Sequence, residues 1–557
     1  MDFDLETADR WAQLLSDTRM VMPEIWLVIA MCVVILVPFI NRTNSALPIV
    51  SALAGLVLAG VYCLPLTEIG DVFVFSGMLT IDPFSQFFKL LLIIFTILIV
   101  AQWQLTARHE TDVKDIPDYL CLLLGATVGM ALMASASNLL MIFLAIESAS
   151  LPSFALAGFR KRHRLATEGS LKYVLFGAAA SAIGVYGMSL VYGSTGTLSL
   201  AGVAEAAARP AVVEAGVVVA SAGFTPLLGV GLMAMFASIA FKLSAAPLHF
   251  WCPDVFQGAS IEITTFLSVA SKGAAVCLLV RILQTFGAHG GASGFIGLAS
   301  AVGILGAVTA TWGNLVAFHQ TNIKRLLAYS SIAHAGYMIM GAALCTMVAV
   351  PQASQVLAGA ILFYLMVYMF MNLGAFTVAA LLAEETGSED IRDYVNLIGR
   401  SPALAVLLSI FLLSLFGMPG LGGFMAKIFL GMAMFELKHP AAFALVAVLL
   451  LNTLISLYYY VRPIYYMVFM PDEQSRPSFS PRLAGLVMLL ICALALMWTG
   501  ILPGTAGGLT KDYATLVVRP PASKPALPRA GDEPSHGPWA DRGEPGADPA
   551  PSATGGL

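Results

Sequence analysis

The sequence predicts an all-α polytopic membrane protein of about fourteen transmembrane helices, with two inverted five-helix repeats and a broken helix in each. Three observations carry this reading. The 557 residues are 58% hydrophobic and 11% charged, with a mean hydropathy of +0.84. About fourteen apolar stretches approach the ~20 residues needed to cross ~30 Å of hydrocarbon. Two of those stretches, the seventh and the twelfth, each join a lysine to a Pro- or Gly-rich interruption.

In chain order, residues 1–22 are mixed in charge and lack a basic segment ahead of an apolar one, so they read as a polar N-terminal tail rather than a signal peptide. Spans one to three (23–40, 46–66 and 82–103) occupy residues 23–115. Spans four to eight (117–135, 138–158, 167–192, 228–248 and 261–285) make a first five-helix repeat over 116–290, in which 193–227 reads as a Gly/Ala-rich loop with room for one short interfacial helix. Spans nine to thirteen (293–317, 323–347, 352–382, 403–434 and 442–469) make a second repeat over 291–470, and span fourteen (483–502) falls within 471–502. From Pro503 the composition turns to Pro, Gly, Ala and scattered charge, too little apolar surface to fold, so 503–557 reads as a disordered tail.

Basic residues orient the chain. Loops after odd-numbered spans carry Arg42, Arg108, Lys114, Arg160, Lys161, Arg162, Arg164, Lys324, Arg325, Arg392, Arg400, Arg476 and Arg482, against Arg209, Arg281 and Lys438 after even-numbered ones. The positive-inside rule puts the first set in the cytoplasm, and both termini in the periplasm of a bacterial inner membrane. The same composition excludes other classes. No basic run is interleaved with aromatics as a nucleic-acid face would be. The seven cysteines are scattered without a CxxC pair, and no Gly-rich phosphate loop follows a strand. Lipid is the expected surroundings, and no site for a dinucleotide, a flavin or an iron–sulfur cluster is expected in this chain.

The candidate functional residues are charges in lipid-depth segments, where each costs at least about 2.5–3.5 kcal/mol. Lys242 and Lys272 flank a stretch holding Pro247, Pro253 and the polar run His249 to Asp254, which no regular helix can traverse. In span twelve, Pro419 and four glycines between Gly417 and Gly423 precede Lys427. An odd offset of five reverses membrane direction, so matched breaks point to inverted repeats with ion sites at the breaks; a coincidence of Gly and Pro, which membrane helices tolerate, is the bland alternative. Glu147 is the one ionisable residue of span five and is expected near mid-depth, facing the bundle. Glu168 and Lys172 stand at i and i+4 in span six, either as an ordinary pair near a helix end or as part of the path. His334 follows Ser330 and Ser331, and a hydrogen-bonded relay competes there with a satisfied core histidine. Lys324 lies between spans nine and ten.

At these residues, WCPDVFQGASIEITTFLSVASKGAA, IKRLLAYSSIAHAGYMIMG and MPGLGGFMAKIFL resemble the motifs of subunit N of the proton-pumping NADH:quinone oxidoreductase, respiratory complex I, over roughly residues 20–500. The resemblance implies fourteen helices with two inverted repeats, a fold shared with multisubunit cation/proton antiporters, which are the alternative functional reading; a third is a structural subunit whose charges are relics. It implies functional charges at Glu147, Lys172, Lys242, Lys272, Lys324 and Lys427, a place beside the antiporter-like subunit M and the small subunit K, and a translocase with no redox centre in this chain. One departure stands out: Ser260, Ile261, Glu262 and Ile263 replace the family's Pro-Thr-Pro-Val before span eight. The expected mechanism is proton transfer by charge-coupled lysines. Burial disfavours an ammonium and a nearby carboxylate favours it, so Glu147 would set whether Lys242 holds or releases a proton. Lys272 would link the repeats, His334 would bridge through water, and Lys427 would serve as exit or connection to the next subunit.

Overall fold

A helix satisfies every backbone donor and acceptor within one segment, which is why apolar stretches take that form in lipid. In the computed structural model each expected span coincides with one helix or one interrupted series of helices. The structure describes residues 2–40, 45–67, 72–106, 112–209, 212–214, 217–220, 223–288, 293–346, 351–472 and 476–514. Arg42, Arg108 and the tail from 515 onward lie outside these residues.

The chain opens with α1 (Asp2–Met20), α2 (Met22–Ile40) and α3 (Ala46–Cys63), then a hairpin of β1 (Val72–Val74) and β2 (Leu79–Ile81), and α4 (Pro83–Thr106). Next come α5 (Ile116–Ser135), α6 (Leu139–Ala157), α7 (Arg164–Thr195), the short α8 (Leu200–Ala208), and an antiparallel pair, β3 (Val212–Glu214) and β4 (Val217–Ala220). The first broken element is α9 (Pro226–Lys242) followed by α10 (Trp251–Gly258). Span eight is α11 (Ile261–Phe266), a π-helical turn over Leu267–Ser271, and α12 (Lys272–Ala288). The second half holds α13 (Ser293–Ala317), α14 (Ile323–Leu344), α15 (Pro351–Thr386), the single turn α16 (Leu397–Arg400), the broken pair α17 (Pro402–Phe416) and α18 (Gly422–Phe435), α19 (Pro440–Phe469), α20 (Leu483–Ile501) and α21 (Pro503–Asp512).

Eleven helical segments among the described residues are long and apolar enough to span a membrane, and α9, α17 and α18 are shorter apolar helices beside the two breaks. The window of Ile261–Ala288 is buried along its whole length and that of α15 nearly so, whereas most of α19 faces outward. The α11–α12 series and α15 therefore form the centre of the bundle, and Lys272 and Arg281 on α12 are buried within it.

Three expectations need correction. Residues 2–20, read as a polar tail with no element assigned, form a helix; no Gly or Pro interrupts them, and helix propensity prevails over their mixed charge. The 193–227 segment contains the expected short helix, α8, and also a hairpin that the sequence reading missed. Folding continues past Pro503, which occupies the first turn of α21, where its missing donor costs nothing. Ala506, Gly507 and Thr510 are buried, and the Tyr513 ring stacks on Phe87 at 5.4 Å.

Candidate functional site

Lys242 ends α9, and the chain then turns through Ser244 in a left-handed conformation (φ +55°) before α10 begins. The indole of Trp251 donates to the Phe241 carbonyl at 3.1 Å and its ring stacks on Tyr173 at 4.2 Å, tying α10 back to the end of α9 and to α7. Lys242 is 2% exposed. Its Nζ lies 5.9 Å from the Phe154 ring centre and has no hydrogen-bond partner among the described residues. The carboxylate that acts on it electrostatically is Glu147 of α6. Glu147 accepts a hydrogen bond from the Ser181 hydroxyl. It is only half-buried, with Leu144, Ser148 and Leu151 exposed around it, so it does not face wholly into the bundle as expected. The next surface along α6 is one that this chain alone leaves open.

Lys172 stands apart from that chamber. Its Nζ pairs with Glu168 at 2.8 Å and with Asp254 of α10 at 2.7 Å, and it is more than a third exposed. Asp254 also pairs with Arg325 of α14 at 2.8 Å, so one carboxylate joins α7, α10 and α14. The sequence reading took Asp254 as loop polarity and missed this junction.

Deeper in the bundle the side chains form a file of hydrogen bonds and ring contacts. The π-helical turn delivers Lys272 into the core, where its Nζ donates to Ser331 Oγ at 2.5 Å, lies 3.7 Å from Cys252 Sγ and sits 5.5 Å from the Phe256 ring centre. Ser330, the preceding residue of α14, shares a hydrogen bond of 2.5 Å with the Tyr460 hydroxyl. That hydroxyl is 3.2 Å from His334 Nε2, and His334 Nδ1 is 2.6 Å from the Tyr364 hydroxyl. The Tyr337 ring packs at 5.7 Å against His334, and Lys427 Nζ lies 5.5 Å from the centre of that same ring. Lys427 donates to the carbonyls of Phe416 (2.6 Å) and Leu415 (3.2 Å), acceptors released where α17 stops at Gly417 (φ +96°). Lys324 is held at one end of α14, pairing with Glu389 at 2.8 Å and donating to the Ala259 carbonyl at 2.9 Å.

Two buried ion pairs were also missed. Lys89 of α4 pairs with Glu24 of α2 at 2.6 Å. Arg281, counted from sequence as a loop charge, lies inside α12, pairs with Asp82 at 2.8 Å and donates from Nε to the Ala134 carbonyl. A charge within an apolar run was the available signal for both. Among the described residues no three His, Cys, Asp or Glu side chains gather as metal ligands would.

Residues 136–455, which contain both breaks and every candidate charge, match the family model described as NADH:quinone oxidoreductase/Mrp antiporter, TM. A NADH-quinone oxidoreductase subunit N of Anaeromyxobacter sp. (strain Fw109-5) is 41% identical over 475 residues, covering 82% of this chain and 87% of that relative. The chain belongs to the subunit N family of NADH-quinone oxidoreductases. A further subunit N, of Geobacillus sp. (strain WCH70), is 34% identical over 82% of this chain and 90% of its own length. Among solved structures, a chain of respiratory complex I from Thermus thermophilus with bound aureothin superposes with a TM-score of 0.68 at 27% identity, covering 88% of this chain and 99% of that one. The Mrp complex from Dietzia sp. DQ12-45-1b shares the fold, with a TM-score of 0.74 at 18% identity. As in the subunit N reading of the sequence, the second break carries a lysine.

Proposed function

We propose that this subunit carries protons across the membrane within NADH:quinone oxidoreductase, driven by electron transfer from NADH to quinone in partner subunits. The observation that supports it most is the file along α14: Lys272 on Ser331, Ser330 on Tyr460, Tyr460 on His334, and Tyr337 between His334 and Lys427. Hydroxyl and imidazole groups both donate and accept, so the hydrogen-bonded links can pass a proton by exchanging roles, and each lysine can hold one; the steps from Ser331 to Ser330 and from His334 past the Tyr337 ring to Lys427 need bridging water. Glu147 acts as modulator of Lys242, Lys242 as the carrier of the first repeat, Lys272 as the link between repeats, and Lys427 as the exit or connection to a neighbour. Lys172 and Lys324 anchor the ends of α7 and α14 on the side of the basic loops.

In this reading the half-buried Glu147 is covered in the assembly by another membrane subunit, for which M and K are the candidates. NADH, FMN, iron–sulfur clusters and quinone are held by partners, this chain contributes translocation and no redox centre, and both termini lie in the periplasm. Purification through this subunit tests the function. The expected product is an assembly that oxidises NADH, reduces quinone and acidifies vesicles in sodium-free buffer. Recovery of a flavin-free membrane complex that exchanges Na+ for H+ would establish the antiporter alternative instead.

A further inference from the structure

Glu262 is absent from the mechanism above, yet it is 2% exposed in the first turn of α11, at the start of the most buried span of the molecule. Two water-accessible clefts, of about 450 and about 620 Å3, converge on it. Arg160, His163, Ser260 and Glu262 line both. The first cleft opens past Asp112, Asp115 and Tyr119, the second past Asn322, Glu389 and Asp390. Apart from Tyr119 in the first turns of α5, these belong to connections after odd-numbered spans, the basic face of the chain. Behind Glu262 the polar path continues inward. Lys324, 1% exposed, is bonded to the Ala259 carbonyl three residues before Glu262 and to Glu389 in the wall of the second cleft. Seven residues farther along α14, about 10 Å, Ser331 receives Lys272. The backbone under Glu262 is fixed, since Thr264 bonds to the Phe256 and Ser260 carbonyls and Thr265 accepts from Gln102 of α4.

We propose that Glu262 is a proton-collecting residue: its carboxylate takes protons from water in the two clefts and passes them inward along Lys324 toward Lys272. This rests on the proton-carrying reading of the Lys272–His334–Lys427 file. Each cycle is balanced without a further reactant. A hydronium or a buffer acid in the cleft gives its proton to the carboxylate, and the carboxylic acid gives it to water or to a deprotonated amine on the inner side. The charged and titratable groups facing Glu262 and its clefts are Tyr119 on α5, Arg160 and His163 between α6 and α7, Lys324 on α14 and Glu389 after α15, with Asp112, Lys114, Asp115, Lys161 and Arg162 farther out in the first cleft and Glu384 and Asp390 in the second. Of these, Glu262 alone is both deeply buried and common to the two clefts while carrying a carboxylate.

The test uses the intact oxidoreductase in vesicles with the basic-loop face toward the medium. In Glu262→Gln, NADH-driven proton uptake should fall about tenfold or more at alkaline pH, where hydronium is scarce, and much less at mildly acidic pH. Formate or azide, weak acids small enough to enter the clefts, should restore it. Glu262→Asp should take up protons close to the wild-type rate. If Glu262→Gln does not assemble, Glu262→Ala, which leaves room for water, is read in the same way. Wild-type uptake at every pH overturns the proposal; so does a loss that is uniform with pH or untouched by weak acids, which would mark a structural residue. Lys272→Arg, measured alongside, separates the two levels. If it stops pumping while Glu262→Gln is normal, only the collector is refuted, whereas normal pumping in Lys272→Arg removes the path it is said to feed.

Discussion

Replacing Tyr460 by phenylalanine deletes one oxygen and leaves the ring, so its effect can be worked from two contacts, Ser330 Oγ at 2.5 Å and His334 Nε2 at 3.2 Å. A buried hydrogen bond contributes about 0.5–1.5 kcal/mol net and an orphaned buried partner costs about 1–3 kcal/mol. Tyr460→Phe should therefore destabilise the subunit by about 1–3 kcal/mol, little enough for assembly to survive. The functional cost should be larger. Without the hydroxyl, Ser330 and His334 are separated by a gap that one ordered water must bridge, and loss of a positioned proton-transfer group lowers rates by about 10²-fold or more. Thr346→Val is the control, because it deletes a buried hydroxyl that donates to the Leu283 carbonyl at 3.0 Å, outside the file. Both variants should show similar thermal shifts in the purified assembly, and only Tyr460→Phe should lose proton uptake. Equal uptake in the two would refute the claim that Tyr460 relays protons.

Glu147→Gln should assemble but pump poorly, since it keeps the Ser181 hydrogen bond and removes the charge that acts on Lys242; Glu147→Asp should do better, and equal pumping in wild type and Gln would make Glu147 a merely polar group. A cysteine at Arg162 should resist a membrane-impermeant thiol reagent in intact cells and react in inverted vesicles, as the basic 160–164 loop requires; labelling from outside would reverse both termini. Asp82→Asn should cost about 3–5 kcal/mol because it leaves the buried Arg281 guanidinium short of its counter-charge. Lys114→Met, at an exposed pair 3.8 Å long, should cost less than about 1 kcal/mol. Similar melting temperatures for these two would contradict the burial argument.

The parts of this molecule that were legible from sequence are those where one residue type is costly in its surroundings. A lysine inside an apolar run announces itself, and Lys242, Lys272 and Lys427 are all buried where the runs predict. The breaks were legible for the same reason, because Pro247 and the Gly417–Gly423 cluster deny the helix its ordinary hydrogen bonds. Tyr460 and Tyr364 were not, since an aromatic residue in a membrane helix reads as packing until a partner from another helix reaches its hydroxyl. The π-helical turn before Lys272 has no sequence mark. Glu147 shows the remaining limit. Its depth was readable from its distance to both helix ends, but not that it would be only half-buried in this chain, because nothing in the run marks which face of α6 packs inward. At the termini, mixed charge and Pro/Gly content mask helix propensity, which is why α1 and α21 are not legible there.

The central claim is that protons pass along the file that begins at Lys272, and the ratio of protons taken up to NADH oxidised tests it most directly. The comparison is between wild type and Lys272→Arg in reconstituted vesicles. Arginine supplies a cation and can still donate to Ser331, but it does not release its proton in a protein. The account predicts an assembled complex with a lowered ratio. An unchanged ratio in Lys272→Arg would contradict it, and would leave the buried lysines of this chain with a structural or electrostatic role alone.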